Sequence, residues 1–194
     1  CGALLYASTN TRPDIAFSTG LLCRAMGRPT PELFQAALRV LGYLYRNRHI
    51  GLRYEASDQS LEGYSDSDWA VKHSTSGFTF HLGSATVSWS SKKQTTVALS
   101  SCEAEIMAGS EAAKEAIYLS TFLRELGLDM SKPPPLKLDN KSAIDLAYNP
   151  EHHSKTKHIE SVVTTSYANA SRTANFACLS CPPKTTSPIS LLSH

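Results

Sequence analysis

Three acidic residues, Asp66, Glu105 and Asp139, stand where elements of regular structure are expected to begin or end. Asp66 closes a stretch from Leu61 whose pattern reads as a strand. Glu105 lies in the first turns of a long helical pattern, and Asp139 ends the short strand pattern Leu136-Lys137-Leu138-Asp139. Sites in α/β sheets form beside the carboxyl ends of strands, so these three side chains can converge. Carboxylates packed together repel, and protons or a divalent cation must offset that repulsion. Mg²⁺ takes hard oxygen ligands in octahedral geometry and keeps several waters. Two such ions activate a water and stabilise the leaving oxygen in phosphodiester hydrolysis. Spacing alone favours a blander reading: Asp at a strand end commonly forms a turn, and Glu early in a helix complements its dipole. Asp68 and Glu103, each two residues from a candidate, leave the choice within each pair open.

The elements that must position these groups follow a β-β-β-α-β-α order over Leu61 to Glu160. After the first strand, Phe78, Phe80 and Leu82 alternate with Thr79 and His81, and Val87 and Trp89 alternate with Ser88. Gly83-Ser84-Ala85 supplies a hairpin turn between them. Ser100 and Glu103 fit a capping box. A long helix is expected to follow through Ile106, Ala113, Ile117 and Leu123 and to stop at Gly127. Pro133-Pro134-Pro135 breaks the chain before the fourth strand, and a helix from Lys141 to Ala147 comes after it.

Residues 1–60 carry two helical patterns separated by Gly27-Arg28-Pro29. In the second, Thr30 caps a helix with Pro31 at its first position. Leu33, Ala37, Val40, Leu41 and Leu44 recur at three- and four-residue steps as one apolar face. Arg39, Arg46 and Arg48 between them read as a solvated face rather than phosphate contacts. Residues 161–194 differ in character, with 12 Ser or Thr among 34 residues and no Asp or Glu. No periodicity is sustained there, and the segment reads as disordered or foreign to the domain before it.

Composition bounds the function only loosely. The chain has 194 residues, 41% of them hydrophobic, with 19 Lys or Arg against 17 Asp or Glu, a net charge of +2. That is enough apolar content for a core, and the balance neither demands nor excludes a nucleic-acid partner. No apolar run approaches the roughly 20 residues that span a bilayer, so no membrane partner is expected. Cys1, Cys23 and Cys102 read as buried or incidental thiols in a reducing compartment. Cys178-Leu179-Ser180-Cys181, with His152, His153 and His158 upstream, has zinc-like spacing, but a single CxxC half is a weak signal. The chain begins with Cys1, as expected of a fragment.

Longer motifs sharpen this. YSDSDWA (Tyr64 to Ala70), STSGF (Ser74 to Phe78), SWSSKKQTTVALSSCEAEIMAGSEAAKEA (Ser88 to Ala116), LDNKSAI (Leu138 to Ile144) and HSKTKHI (His153 to Ile159) resemble the RNase H domain of copia-type LTR retrotransposon Pol polyproteins. TRPDIAF (Thr11 to Phe17) and GLRY (Gly51 to Tyr54) resemble the end of the reverse transcriptase that precedes it. The resemblance implies an α/β fold with an RNase H-like mixed sheet, its first three strands antiparallel, flanked by helices. It divides the chain into a reverse transcriptase end (1–60), an incomplete RNase H-like domain (61–160) and an aberrant tail (161–194). It implies cleavage of RNA in RNA–DNA hybrids with two Mg²⁺ ions, and Asp66, Glu105 and Asp139 as both catalytic and metal-binding residues. Lys92, Lys93 and Asn140 are the candidate nucleic-acid contacts; for the lysines a solubilising role is the alternative. His158 belongs to the KTKH motif and is structural on this reading. The implied partners are the hybrid and the upstream reverse transcriptase, and the implied location is a cytoplasmic virus-like particle or the nucleus.

The family pattern continues past KHI with an Arg-Arg-His-like helix, a last strand, and a helix whose fourth catalytic Asp lies in a motif like NLADFFTKP. Here Glu160 instead runs into SVVTTSYANASRTANFACLSC. Back-translated and read one nucleotide earlier, Val162 to Tyr167 permit RRHYFV. The same shift then permits RECVEDGEFRVPFVPTENNLADFFTKP without interruption. Two bases of each shifted codon are largely fixed by the observed residue, and only the wobble base is free. A frame-shift near Glu160-Ser161 is therefore the expected origin of the tail, with the lost Asp encoded across Pro188 and Ile189. The sheet is then expected to lack its last strand and helix, and cleavage to be weak or lost, leaving at most a remnant that binds nucleic acid.

Overall fold

The computed structural model describes residues 1–55, 61–130 and 134–140, and the backbone of residues 178–180. Helix α1 (Gly2–Asn10) ends at Thr11, and Pro13–Ile15 form one 3₁₀ turn before α2 (Ala16–Arg24). The first helical pattern is thus two helices. Pro13 divides them, because proline has no N–H to continue the first and fits the opening turn of the next. Helix α3 (Pro31–Arg46) begins as expected, with the Leu33 N–H donating to Thr30 Oγ1 at 3.4 Å. Leu33, Ala36, Val40 and Leu44 of α3 pack on Leu4, Ile15 and Leu22 of the helices before it. Arg39, Arg46 and Arg48 are exposed.

Strands β1 (Leu61–Asp68), β2 (Thr75–Leu82) and β3 (Ala85–Lys93) form an antiparallel meander, and β4 (Leu136–Leu138) runs parallel to β1. Gly83, at φ 64°, turns β2 into β3 in a conformation that only glycine adopts without penalty. This is the expected mixed RNase H-like sheet, three antiparallel strands and then a parallel one. The register of β4 is held by Gly63 N–H donating to Pro135 O at 2.9 Å and by Lys137 Nζ donating to Glu62 Oε2 at 2.8 Å and Tyr64 OH at 2.9 Å.

One expectation is corrected. The tail, expected to be disordered, contributes Cys178–Ser180 as a fifth strand, β5, parallel to β4, giving the order β3-β2-β1-β4-β5. Main-chain pairing asks little of side chains, so an open strand edge can accept an extended segment whose sequence does not advertise a strand. The helix expected at Lys141 to Ala147, the histidines His152, His153 and His158, the second cysteine of the CxxC pair and the lost last helix all fall outside the described residues.

Helix α4 (Ser101–Glu125) covers one face of the sheet. Ser100 caps it, accepting from Glu103 N–H at 3.2 Å, while Glu103 Oε2 accepts from Leu99 N–H at 2.6 Å, one residue before the expected cap amide. It ends before Gly127, at φ 86°, with the Gly127 and Leu128 amides donating back to Arg124 O and Leu123 O. Ala112, Ala113 and Ala116 let its axis approach Leu61, Phe80, Leu136 and Leu138 closely. The N-terminal helices meet β2 and β3: Trp89 Nε1–H donates to Ser8 O at 2.7 Å and Arg24 to Thr75 Oγ1 at 3.4 Å. Gly63 sits opposite Phe80 in the register, and any Cβ there would overlap the fully buried Phe80 ring. Gly63→Ala is expected to destabilise the fold by about 1–3 kcal/mol, the usual result of overpacking. A denaturant midpoint equal to that of the parent would refute it.

Candidate metal centre

Strand register brings the first two acids together. Ser65 pairs with Leu138 across the parallel β1–β4 ladder, so Asp66 and Asp139 both follow at the carboxyl ends of neighbouring strands. Glu105 approaches from the second turn of α4, whose capped start packs over the same end of the sheet. One carboxylate oxygen from each of Asp66, Glu105 and Asp139 lies within 4.8 Å of the others. The rival residues are elsewhere: Asp68 is exposed at the end of β1, and Glu103 is engaged in the helix cap.

Burial grades the three. Glu105 is 5% exposed, Asp66 is half-buried and Asp139 is exposed. Burial, aided by the charges of Asp66 and Asp139, pushes the Glu105 carboxyl up to about 8. Burial and then the charge of Asp139 raise Asp66 above the usual carboxylate range. Desolvation with like charges nearby is the arrangement that a bound cation relieves.

Ser67, which the sequence reading passed over, organises the site. Its N–H donates to Asp66 Oδ1 at 2.8 Å and to Glu105 Oε1 at 3.1 Å, and its hydroxyl donates to Glu105 Oε1 at 2.8 Å. Glu105 Oε2 is buried with no hydrogen-bond partner among the described residues. A buried ionisable oxygen rarely lacks a partner unless an ion or proton serves it. Three hard oxygen donors with one orphaned oxygen fit a hard divalent cation. Ser67 was visible in the sequence only as the residue between two aspartates.

The other candidates lie apart from this cluster. Lys92 and Lys93 are exposed at the end of β3. Ser91 pairs with Gly77, which pairs with Asp66. The lysines are therefore at the same end of the sheet, two strand spacings or roughly 10 Å from Asp66. Asn140 is half-buried and follows Asp139 directly. Among the described residues no helix is long and apolar enough to cross a membrane.

Most of the chain is similar in sequence to known proteins. The retrovirus-related Pol polyprotein from transposon TNT 1-94 of Nicotiana tabacum is 41% identical over 163 residues, 82% of this chain and 12% of that one. Secreted RxLR effector protein 161 of Plasmopara viticola is 47% identical over 128 residues, 63% of this chain and 90% of that one. The chain spans little more than a tenth of the Pol polyproteins it matches, at 12% and 11% of their length. Among solved structures, LC11-RNase H1 in complex with an RNA/DNA hybrid superposes with a TM-score of 0.49 at 16% identity, covering 64% of this chain and 86% of that one. No family model matches the chain.

Proposed function

Because the chain belongs to the Pol polyproteins of copia-type retrotransposons, we propose that its RNase H-type domain is an endoribonuclease acting on the RNA strand of an RNA–DNA hybrid. The observation that carries this reading is the convergence of Asp66, Glu105 and Asp139 within 4.8 Å at the end of the sheet. Each of the three would supply oxygen ligands to divalent ions, two of them in the full mechanism. Bound there, Mg²⁺ would polarise the scissile phosphate and supply an activated water. Ser67 holds Glu105 Oε1 by two hydrogen bonds, so that carboxylate is presented without a search through rotamers. The domain's partners on this reading are the hybrid and the reverse transcriptase of the same polyprotein.

This copy is proposed to be impaired. Residues 161–194 contain no Asp or Glu, so the tail offers no fourth carboxylate. Replacing residues 161–194 by the alternate-frame sequence, which ends in NLADFFTKP, is expected to raise Mg²⁺-dependent hybrid cleavage at least about tenfold. The assay follows the labelled RNA strand of a hybrid with Mg²⁺ and with EDTA. RNA-strand products that need Mg²⁺ support the nuclease. Hybrid binding without cleavage in both the parent and the restored chain would make the domain a binding remnant and reject it. Genomic sequence at the Glu160 junction tests the origin of the tail: an intact gene lacking the alternate-frame codons overturns the frame-shift.

A further inference from the structure

Helix α3 is apolar over more of its surface than one neighbour can cover. Its inward side, Leu33, Ala36, Ala37, Val40 and Leu44, packs on the helices before it. At about 3.6 residues per turn, Phe34, Leu38, Leu41 and Tyr45 form a second stripe, about 100° further round and no more than about 60° wide. These four are 64%, 42%, 50% and 71% exposed. The charged residues of α3, Glu32, Arg39 and Arg46, all fall on the remaining arc. Scattered exposed hydrophobics need no cover, but four in one row make a contiguous patch, and such a patch marks an interaction site.

The spacing says what fits it. The stripe runs in steps of four, three and four, the spacing of a coiled-coil seam. Those steps read the same in either direction. A second α3 laid antiparallel therefore sets Leu38 against Leu41 and Phe34 against Tyr45, two leucine layers between two aromatic ones. A parallel copy would bring Arg46 level with its own duplicate. The antiparallel copy brings Arg46, and Arg48 whose guanidinium lies 5.3 Å from the Tyr45 ring centroid, level with the acidic first turn at Glu32. With about 200 Å² for a large side chain, these exposures leave roughly 450 Å² of apolar surface on each copy. A pair covers roughly 900 Å², near the ~1,000 Å² at which an interface becomes specific.

We propose that two copies of this chain pair through α3, antiparallel about a two-fold axis between Leu38 and Leu41, burying Phe34, Leu38, Leu41 and Tyr45 of each. The same patch serves on both copies, so the pair closes on itself. Neither the carboxylates nor a nucleic acid takes part.

Sedimentation velocity of the full chain tests this, under reducing conditions because Cys1 is exposed. The parent is expected to pass from one chain to two as concentration rises through the micromolar range, the weak end for interfaces of this kind. Leu38→Glu and Leu41→Lys each put a charge opposite a leucine and are each expected to weaken pairing at least about tenfold. Both positions face solvent in the single chain, so Tm at concentrations too low to pair should match that of the parent. Mixing the two variants sets the new carboxylate against the new ammonium and leaves the other leucine layer intact. The mixture is expected to pair about tenfold more tightly than either variant. A parent that stays a single chain, variants that pair like the parent, or a mixture that pairs no better than its components would each overturn the proposal. The first result, joined to binding of the polyprotein's reverse transcriptase that Leu38→Glu abolishes, would give the face to that partner instead. No nucleic acid or metal enters the assay, so failure of the pairing leaves the nuclease reading intact.

Discussion

Asp66→Asn is expected to reduce Mg²⁺-dependent hybrid cleavage by roughly 10³-fold, to the level seen in EDTA. Removing one preorganised electrostatic contact in an active site commonly costs about 10²–10³ in rate, and Asp66 is one of the three carboxylates that converge, with Glu105 of α4 and Asp139 just past β4. Asparagine keeps the shape and still offers an oxygen to Ser67 N–H, which donates to Asp66 Oδ1 at 2.8 Å in the parent. The fold should therefore survive, because the change also removes a like charge from beside Glu105 and Asp139. Cleavage is best followed in the chain carrying the alternate-frame tail, where the parental rate is expected to be highest. A variant that melts like the parent and cuts within a factor of three of it would end the metal-site assignment.

Without divalent ions, stability is expected to fall as pH rises from about 5 to about 8. The sign follows from Glu105, whose ordinary value of 4.5 is pushed up to about 8 in the fold, with Asp66 raised in the same direction. Below the ordinary value both folded and unfolded chains are protonated, and the site has no effect on stability. Between the two values the unfolded chain ionises freely while the folded one resists, so each step upward favours unfolding. Above about 8 the loss is complete. A loss of about 2 kcal/mol would lower Tm by roughly 4–8 °C in a domain of this size. Mg²⁺ at pH 8 should restore it by binding the folded form alone. Glu105→Gln should flatten the profile and blunt the response to Mg²⁺. Melting curves in EDTA across this range decide it, and a Tm that climbs with pH would contradict the burial of Glu105.

Much of this architecture was legible because its signals are local. Thr30 and Ser100 announce helix starts through hydroxyls that accept amide hydrogens three residues on, and the apolar alternation at Phe78 and Phe80 belongs to β2 itself. Asp66 and Asp139 could be placed at strand ends, but their meeting depends on the parallel β1–β4 register, a long-range fact no periodicity encodes. The same holds for Glu105, rather than Glu103, joining that cluster, which follows from the face of α4 that lies against the sheet. Ser67 was missed for a related reason: a serine in a strand acquires meaning only from what stands opposite it. The short strand at Cys178–Ser180 had no side-chain signal at all, since the pairing that makes it is between backbones.

The docking of α1 through the Trp89 indole has an optical corollary. The chain has two tryptophans, Trp69 and Trp89. Trp69 lies just past the acidic end of β1, its indole N–H donating to Ala98 O at 3.2 Å ahead of α4, while Trp89 is bonded to Ser8 O on the N-terminal layer. Each chromophore thus reads a different seam of the molecule. Emission from a chain keeping only Trp89 follows detachment of the leading helices, and emission from one keeping only Trp69 follows loosening beside the carboxylates, so the order in which the layers come apart is written in two separable signals.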